Sequence, residues 1–286
     1  MPETNPTAVV LTALPVEYDA VRAHIEVRDE DEAVLGDGTR LEQGCLAGTS
    51  WNVALAELGE GALTTAALTT RVVAELAPEA LLFVGVAGGL KDDVEIGDVV
   101  VGTKVYAIHG GKVSDEGFLA RPEAWHGSHR LLQAARSALR GLDGVRGHRK
   151  PIACGDVVLA HERSALRELI RRTYNDAYAI EMEGSGASHA AHLSGQLDTL
   201  VIRGISDLAD ARKADADAGG SQRLASAQAA KVAMALLRKH RPRGGSSAEE
   251  DPPSGTGREH AAGGDHIDLR NSTFHGTVIG KQVGRP

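Results

Sequence analysis

The chain has 286 residues, of which 42% are hydrophobic, 24% charged and 3% aromatic, with a formal net charge of −8. This composition fills a core of ordinary size, while few aromatic rings and an acidic balance exclude a base-stacking or polyanion-tracking surface, so no nucleic-acid partner is expected. The most hydrophobic run, Ala80 to Leu90, is too short and Gly-rich to span a membrane, the start Met1-Pro2-Glu3-Thr4 lacks signal-peptide features, and two distant cysteines, Cys45 and Cys154, exclude a disulfide framework, which together point to a cytoplasmic protein.

From Thr7 to about His240 apolar β-branched runs alternate with Ala/Leu-rich helical periods, the pattern of an α/β layer fold: a single domain over 7–240 with a mixed sheet packed between helices. Val9-Val10-Leu11 opens as a buried strand. Leu63, Ala66, Ala67 and Val73 at helical spacing predict a helix over Ala62 to Leu76, ended ahead of Pro78. Leu81 to Val84 reads as a strand running into Gly85-Val86-Ala87-Gly88-Gly89, and Asp98 to Ile108 as the next. A polar loop follows, reaching Trp125. Further on, Ile152 to Leu159 reads as a strand, Ser164 to Arg172 as a helix and Tyr178 to Ile180 as a strand. The small residues from Gly184 to His192 predict a closely packed helix, Leu200 to Ile202 a buried strand, and Ser221 to Lys239 the last helix.

After His240 the composition changes. Residues 241–264 are rich in Gly, Pro, Ser and charge, as in a flexible linker. Residues 265–284 carry Ile267, Leu269, Phe274, Val278, Ile279 and Val283 among Asn, Thr, Gly and Gln, a β-prone segment too small to fold alone. Thus the tail reads either as a disordered end or as a tethered pairing motif.

Four segments carry chemistry: Ala13-Leu14-Pro15-Val16-Glu17 after the first strand; Val84 to Leu90 with Gly97-Asp98-Val99-Val100 downstream; Ala179-Ile180-Glu181-Met182-Glu183; and Val201-Ile202-Arg203-Gly204-Ile205-Ser206-Asp207. In this order they resemble the nucleoside phosphorylase superfamily, most closely its methylthioadenosine/S-adenosylhomocysteine nucleosidase branch, over about Val9 to Leu237. Cleaving an N-glycosidic bond needs an acid for the departing base, groups that hold the ribose, and a nucleophile for the cationic sugar. The resemblance implies that Asp207 protonates N7 of a purine; it follows a buried strand and Ser206, where burial can hold a proton near neutrality. It also implies that Glu183 accepts from the ribose hydroxyls, that Met182 lies against the sugar, and that Glu17 activates water. Glu181, Arg203, Ser206 and Gly88 complete the implied substrate site, with Arg203 four residues before Asp207 and able to pair with one of the glutamates.

Two positions depart from the branch: Val86 stands where Ser is common, and Val158, before Leu159 in Gly155-Asp156-Val157-Val158-Leu159, stands where a Phe stacks on adenine. Ala13 to Asp19 offers two acids and no base, which repels phosphate and suits a water nucleophile, so hydrolysis is expected rather than phosphorolysis. The loop from Lys104 to Trp125, with Lys104, Lys112 and Arg121, resembles versions linked to bacterial NLR-type defence proteins, where the substrate is an adenine nucleotide such as ATP. In the same vein, Asn271 to Gly284 resembles the amyloid-signalling motifs of such effectors, whose partner is an NLR-type receptor. The resemblance further implies a homodimer. The twelve histidines show no metal-ligand spacing, His189 and His192 included, and no metal or organic cofactor is expected. Two alternatives stay open: a purine nucleoside phosphorylase, and a non-catalytic purine-binding module that signals through the tail.

Overall fold

β1 (Thr7–Thr12) is buried from Ala8 onward, as a strand covered on both faces must be. The structure is a computed structural model and describes residues 5–115, 117–157, 164–195, 197–209 and 219–243. β1 pairs in parallel with β4 (Asn52–Glu57) on one side and with β5 (Ala80–Gly89) on the other. Outside β4 lie β3 (Arg40–Cys45) and β2 (Glu26–Val34), both antiparallel. On the far side β12 (Asp198–Asp207) runs parallel to β5, and β6 (Val99–Ala107) runs antiparallel to β12 and carries β10 (Gly147–Cys154) in parallel. β11 (Ala179–Glu181) joins β10 in parallel and then pairs with the end of β5, Ala179 opposite Gly89 and Ile180 opposite Gly88. Five strands, β5, β12, β6, β10 and β11, thereby close into a ring.

Two helical layers bury the sheet. α1 (Pro15–Arg22), α3 (His129–Arg140) and α6 (Ser221–Lys239) cover the face that presents Val10, Leu82, Val84 and Ile202. α2 (Ala62–Leu76) and α5 (Gly184–Leu193) cover the face of Val9, Leu81, Phe83 and Val201. α2 and α5 touch backbone to backbone, because a Cβ on Gly186 would overlap the Ala62 carbonyl. α4 (Ala165–Thr173) sits at the ring's edge, where Ile170 and Tyr174 pack with Ile108, Ala153, Ile180 and Ala209. The end of α6 is fastened to the sheet: the Trp51 indole donates to the carbonyls of Leu237 and His240 and stacks on the His240 ring.

The α/β architecture with a mixed sheet between helices is the one expected, and the differences are local. The strand expected over Ile152 to Leu159 spans Gly147–Cys154 instead. It begins in the polar stretch Gly147 to Lys150, bulges at Pro151 and ends where Gly155 and Asp156 turn away. The stretch expected as a loop up to Trp125 contains a hairpin, β7 (Gly111–Ser114) and β8 (Gly117–Ala120), and β9 (Glu123–His126), which pairs with β6. Val158, Leu159 and the tail beyond Arg243, with most of the expected linker and all of 265–284, lie outside the described residues.

Candidate active site

The C-terminal ends of the parallel strands β1, β5 and β12 open on the same side, the usual place for a ligand, and β11, antiparallel to β5, brings Ile180 and Glu181 beside the end of β5. They bound a cleft of about 190 Å³, lined on its apolar side by Leu14, Val86, Val157, Ile180 and Met182 and on its polar side by Glu17, Glu60, Glu181, Glu183 and Asp207.

Pro15 starts α1 with the fixed φ that a first helical turn requires, and this places Glu17 at the helix N-terminus, where negative charge is favoured. Its Oε2 accepts from the N–H groups of Ala13 (2.8 Å) and Leu14 (3.0 Å), and its Oε1 from Val86 N–H (2.7 Å). Burial pushes the Glu17 carboxyl up, against the opposing pull of Arg203 and these three donors.

Arg203 lies beneath the cleft with no exposed surface. Its Nη2 donates to Glu181 Oε2 and stands 3.5 Å from Glu183 Oε2, its Nη1 is 4.0 Å from Glu17, and its Cζ lies 4.5 Å from the centre of the Phe83 ring. Room for it exists only because Gly85 has no side chain: a Cβ there would overlap both the guanidinium and Glu17. Arg203 was expected to touch substrate. It forms no part of the cleft lining and instead holds three carboxylates in place from behind, since a buried cation needs paired charge.

Glu181 Oε2 also accepts from the N–H groups of Glu183 (3.1 Å) and Gly184 (2.7 Å) at the start of α5. Glu183 Oε1 accepts from Gly61 N–H at 3.1 Å. One guanidinium faces three carboxylates, so the balance is negative. Glu183 is accordingly pushed up to about 7, chiefly by burial and further by Glu181 and Glu17, with Arg203 and Gly61 opposing.

Asp207 ends β12 behind a register shift between Ile205 and itself, a bulge that turns its carboxyl toward the cleft. Its Oδ2 accepts from Ser206 Oγ (3.1 Å) and its Oδ1 from Ala209 N–H (2.8 Å). Ala209 has a left-handed φ of 52°, a conformation that costs an L-residue about 1–2 kcal/mol.

Of the residues singled out in the sequence, Glu17, Val86, Gly88, Glu181, Met182, Glu183, Ser206 and Asp207 all line this cleft. Lys104, Lys112 and Arg121 do not; Lys104 pairs with Asp176 at 3.1 Å and covers the Tyr106 ring. His189 stacks on Trp125 and His192 is exposed. Glu60, Val157, Ala209 and Gln222 also line the cleft and were not foreseen. For Glu60 a signal existed, the Gly-Glu-Gly turn between β4 and α2. Among the described residues no His, Cys, Asp and Glu cluster could hold a metal ion, and no helix is long and apolar enough to cross a membrane.

The sequence profile of the phosphorylase superfamily matches residues 7–238. The 5'-methylthioadenosine/S-adenosylhomocysteine nucleosidase of Anoxybacillus flavithermus is 29% identical over 163 residues, which span 55% of this chain and 68% of the relative. That of Chromohalobacter salexigens is 26% identical over 209 residues, 70% of this chain and 83% of the relative. Among solved structures, the Neisseria meningitidis enzyme of the same name, in complex with methylthio-immucillin-A, superimposes with a TM-score of 0.71 at 26% identity, covering 81% of this chain and 98% of that one.

Proposed function

The chain belongs to the phosphorylase superfamily, and from that premise we propose that it is a purine N-ribosyl hydrolase that releases adenine from an adenine nucleoside. One observation carries the choice of hydrolysis: the described lining of the cleft holds five carboxylates and no Lys or Arg, so the cleft repels phosphate and accommodates water. In this reading Asp207 delivers a proton to N7 of the purine while the C1'–N9 bond breaks, the bond pair leaving with the base. Glu17 takes a proton from the water whose oxygen closes on C1' of the cationic sugar. Glu183 accepts from the ribose hydroxyls, donors that favour the charged form of its carboxyl. Met182 and Val86 supply apolar contact to the sugar, and Ser206 orients Asp207.

For the substrate we favour methylthioadenosine or S-adenosylhomocysteine over ATP. The relatives bear that activity in their names, and Lys104, Lys112 and Arg121 line no part of the described cleft. A homodimer is the proposed assembly: Leu63 on α2 and Leu193 on α5 are 84% and 73% exposed on two helices that pack together. Recruitment by an NLR-type receptor in the cytoplasm rests on the sequence of 265–284 alone.

The test is incubation of the purified protein with each of the three compounds, with and without phosphate, followed by chromatography of base and sugar. Adenine with a free ribosyl sugar, unaccelerated by phosphate, is expected. A sugar 1-phosphate as the main product would replace hydrolysis by phosphorolysis, and purine binding without turnover would favour the non-catalytic module.

A further inference from the structure

α4 lines no part of the cleft, yet one of its side chains is tied to the acid. Arg167 Nη1 donates to the carbonyl of Ala209 at 2.7 Å, and Ala209 N–H donates to Asp207 Oδ1 at 2.8 Å. Ala209 is buried and left-handed, so its two peptide groups are held from opposite sides in a conformation that an L-residue keeps only where its surroundings enforce it. The hydrogen bond from a guanidinium is of the stronger, charge-assisted kind. Arg167 is itself well placed: Ser164 caps α4 by accepting from Arg167 N–H at 3.1 Å, and Ile170 and Tyr174 anchor the helix in the apolar cluster that includes Ala209.

We propose that Arg167 is a positioning residue for glycosidic cleavage: it fixes the Ala209 turn, which in turn fixes the plane of the Asp207 carboxyl against the purine. The inference rests on the hydrolase reading, in which Asp207 is the acid. Its action is indirect: removal of the guanidinium deletes no cleft-lining side chain but lets the Ala209 turn relax, so that the Asp207 carboxyl loses its fixed plane.

Arg167→Met keeps the length of the stem and removes the donor. It is expected to lower kcat for adenine release about tenfold to hundredfold, the size of a lost hydrogen bond to a charged group, with a smaller change in KM and a melting temperature near wild type. Arg167→Lys, which still donates, is expected to recover most of the rate. Asp207→Asn alone is expected to cost about 10²–10⁴ in rate, and adding Arg167→Met to it to cost nothing further, because no transferable proton is left to aim. Arg171→Met, one turn along the same helix and paired with exposed Glu168, is the control that stays at wild-type kcat. Wild-type turnover in Arg167→Met, or an undiminished loss on top of Asp207→Asn, would overturn the inference and leave the hydrolase reading standing. A wild-type protein that releases no adenine would remove that reading and the inference with it.

Discussion

Glu183 feels most directly the excess of carboxylate around Arg203. Its folded-state pKa of about 7 lies above the ordinary 4.5 because burial, Glu181 and Glu17 together outweigh the guanidinium and Gly61. Below pH 4.5 the group is neutral whether the chain is folded or not. Between 4.5 and 7 the unfolded chain releases a proton that the folded one keeps, so stability falls as pH rises through that window. Glu183→Gln removes this contribution: melting temperatures measured across pH 4.5 to 7 are expected to fall less steeply in the variant than in wild type. Glu17, raised in the same direction, retains its own part of the slope. An equal slope in both proteins would show that Glu183 ionises freely. Glu17 and Glu183 were legible in the sequence because each follows shortly after a buried strand, within a short contiguous motif. Arg203 was legible as a partner of glutamate but not as a fully buried one, since sequence does not show which side of the carboxylates a cation occupies. Ala209 and Gln222 carry no pattern of their own; they reach the cleft through a bulge and a helix start that only the folded chain brings together.

Among the elements, the α2 and α5 pair joins packing to chemistry. Gly61, immediately before α2, donates to Glu183, immediately before α5, so the separation of the two helices sets the position of the proposed ribose acceptor. Gly186→Ala would gain about 1 kcal/mol of helix propensity but press a methyl group into the Ala62 carbonyl, backbone that cannot swing aside, at about 3 kcal/mol. A net loss of about 2 kcal/mol, read as a melting temperature lower by about 4–8 °C, is the expected outcome. An unchanged melting temperature would mean that the helices part freely. Of the elements that were legible, β1, β5, β11 and β12 are buried almost throughout, where hydrophobic runs leave a plain signature, β6 shows a β-branched run, and α2, α4, α5 and α6 show apolar or small residues at helical spacing. β2 carries no strand pattern because Arg28 to Glu32 are all charged, and the hairpin of β7 and β8 lies in the polar stretch that read as a loop. α3 has Leu131, Ala134, Ala135 and Ala138 at helical spacing behind Ser128, but three arginines among them obscured it.

At the scale of the whole molecule, the domain ends where its clasp ends. Arg243 N–H donates to Glu79 at 2.6 Å, and Asp198 receives Arg243 at 3.2 Å and Arg130 at 2.8 Å, so a chain cut after Arg243 retains every one of these contacts. It is expected to melt as wild type does and to release adenine at the wild-type rate; a lower rate would assign the tail a part in catalysis. A peptide of residues 265–284 is expected to form thioflavin-positive fibrils, abolished by Val278→Asp with Ile279→Asp, because unpaired charge cannot enter a dry zipper. The ring of five strands has a consequence for how the protein acquires its activity. Its last seam pairs β11 with the end of β5, segments from opposite halves of the chain, and such closures are slow because chain entropy is lost before contacts compensate it. Gly88 on one side of that seam and Glu181 just past it both belong to the cleft. On dilution from denaturant, helical circular dichroism is therefore expected to recover first and adenine release only in the slowest phase. A newly made chain would pass through an interval in which it is largely structured and still inert.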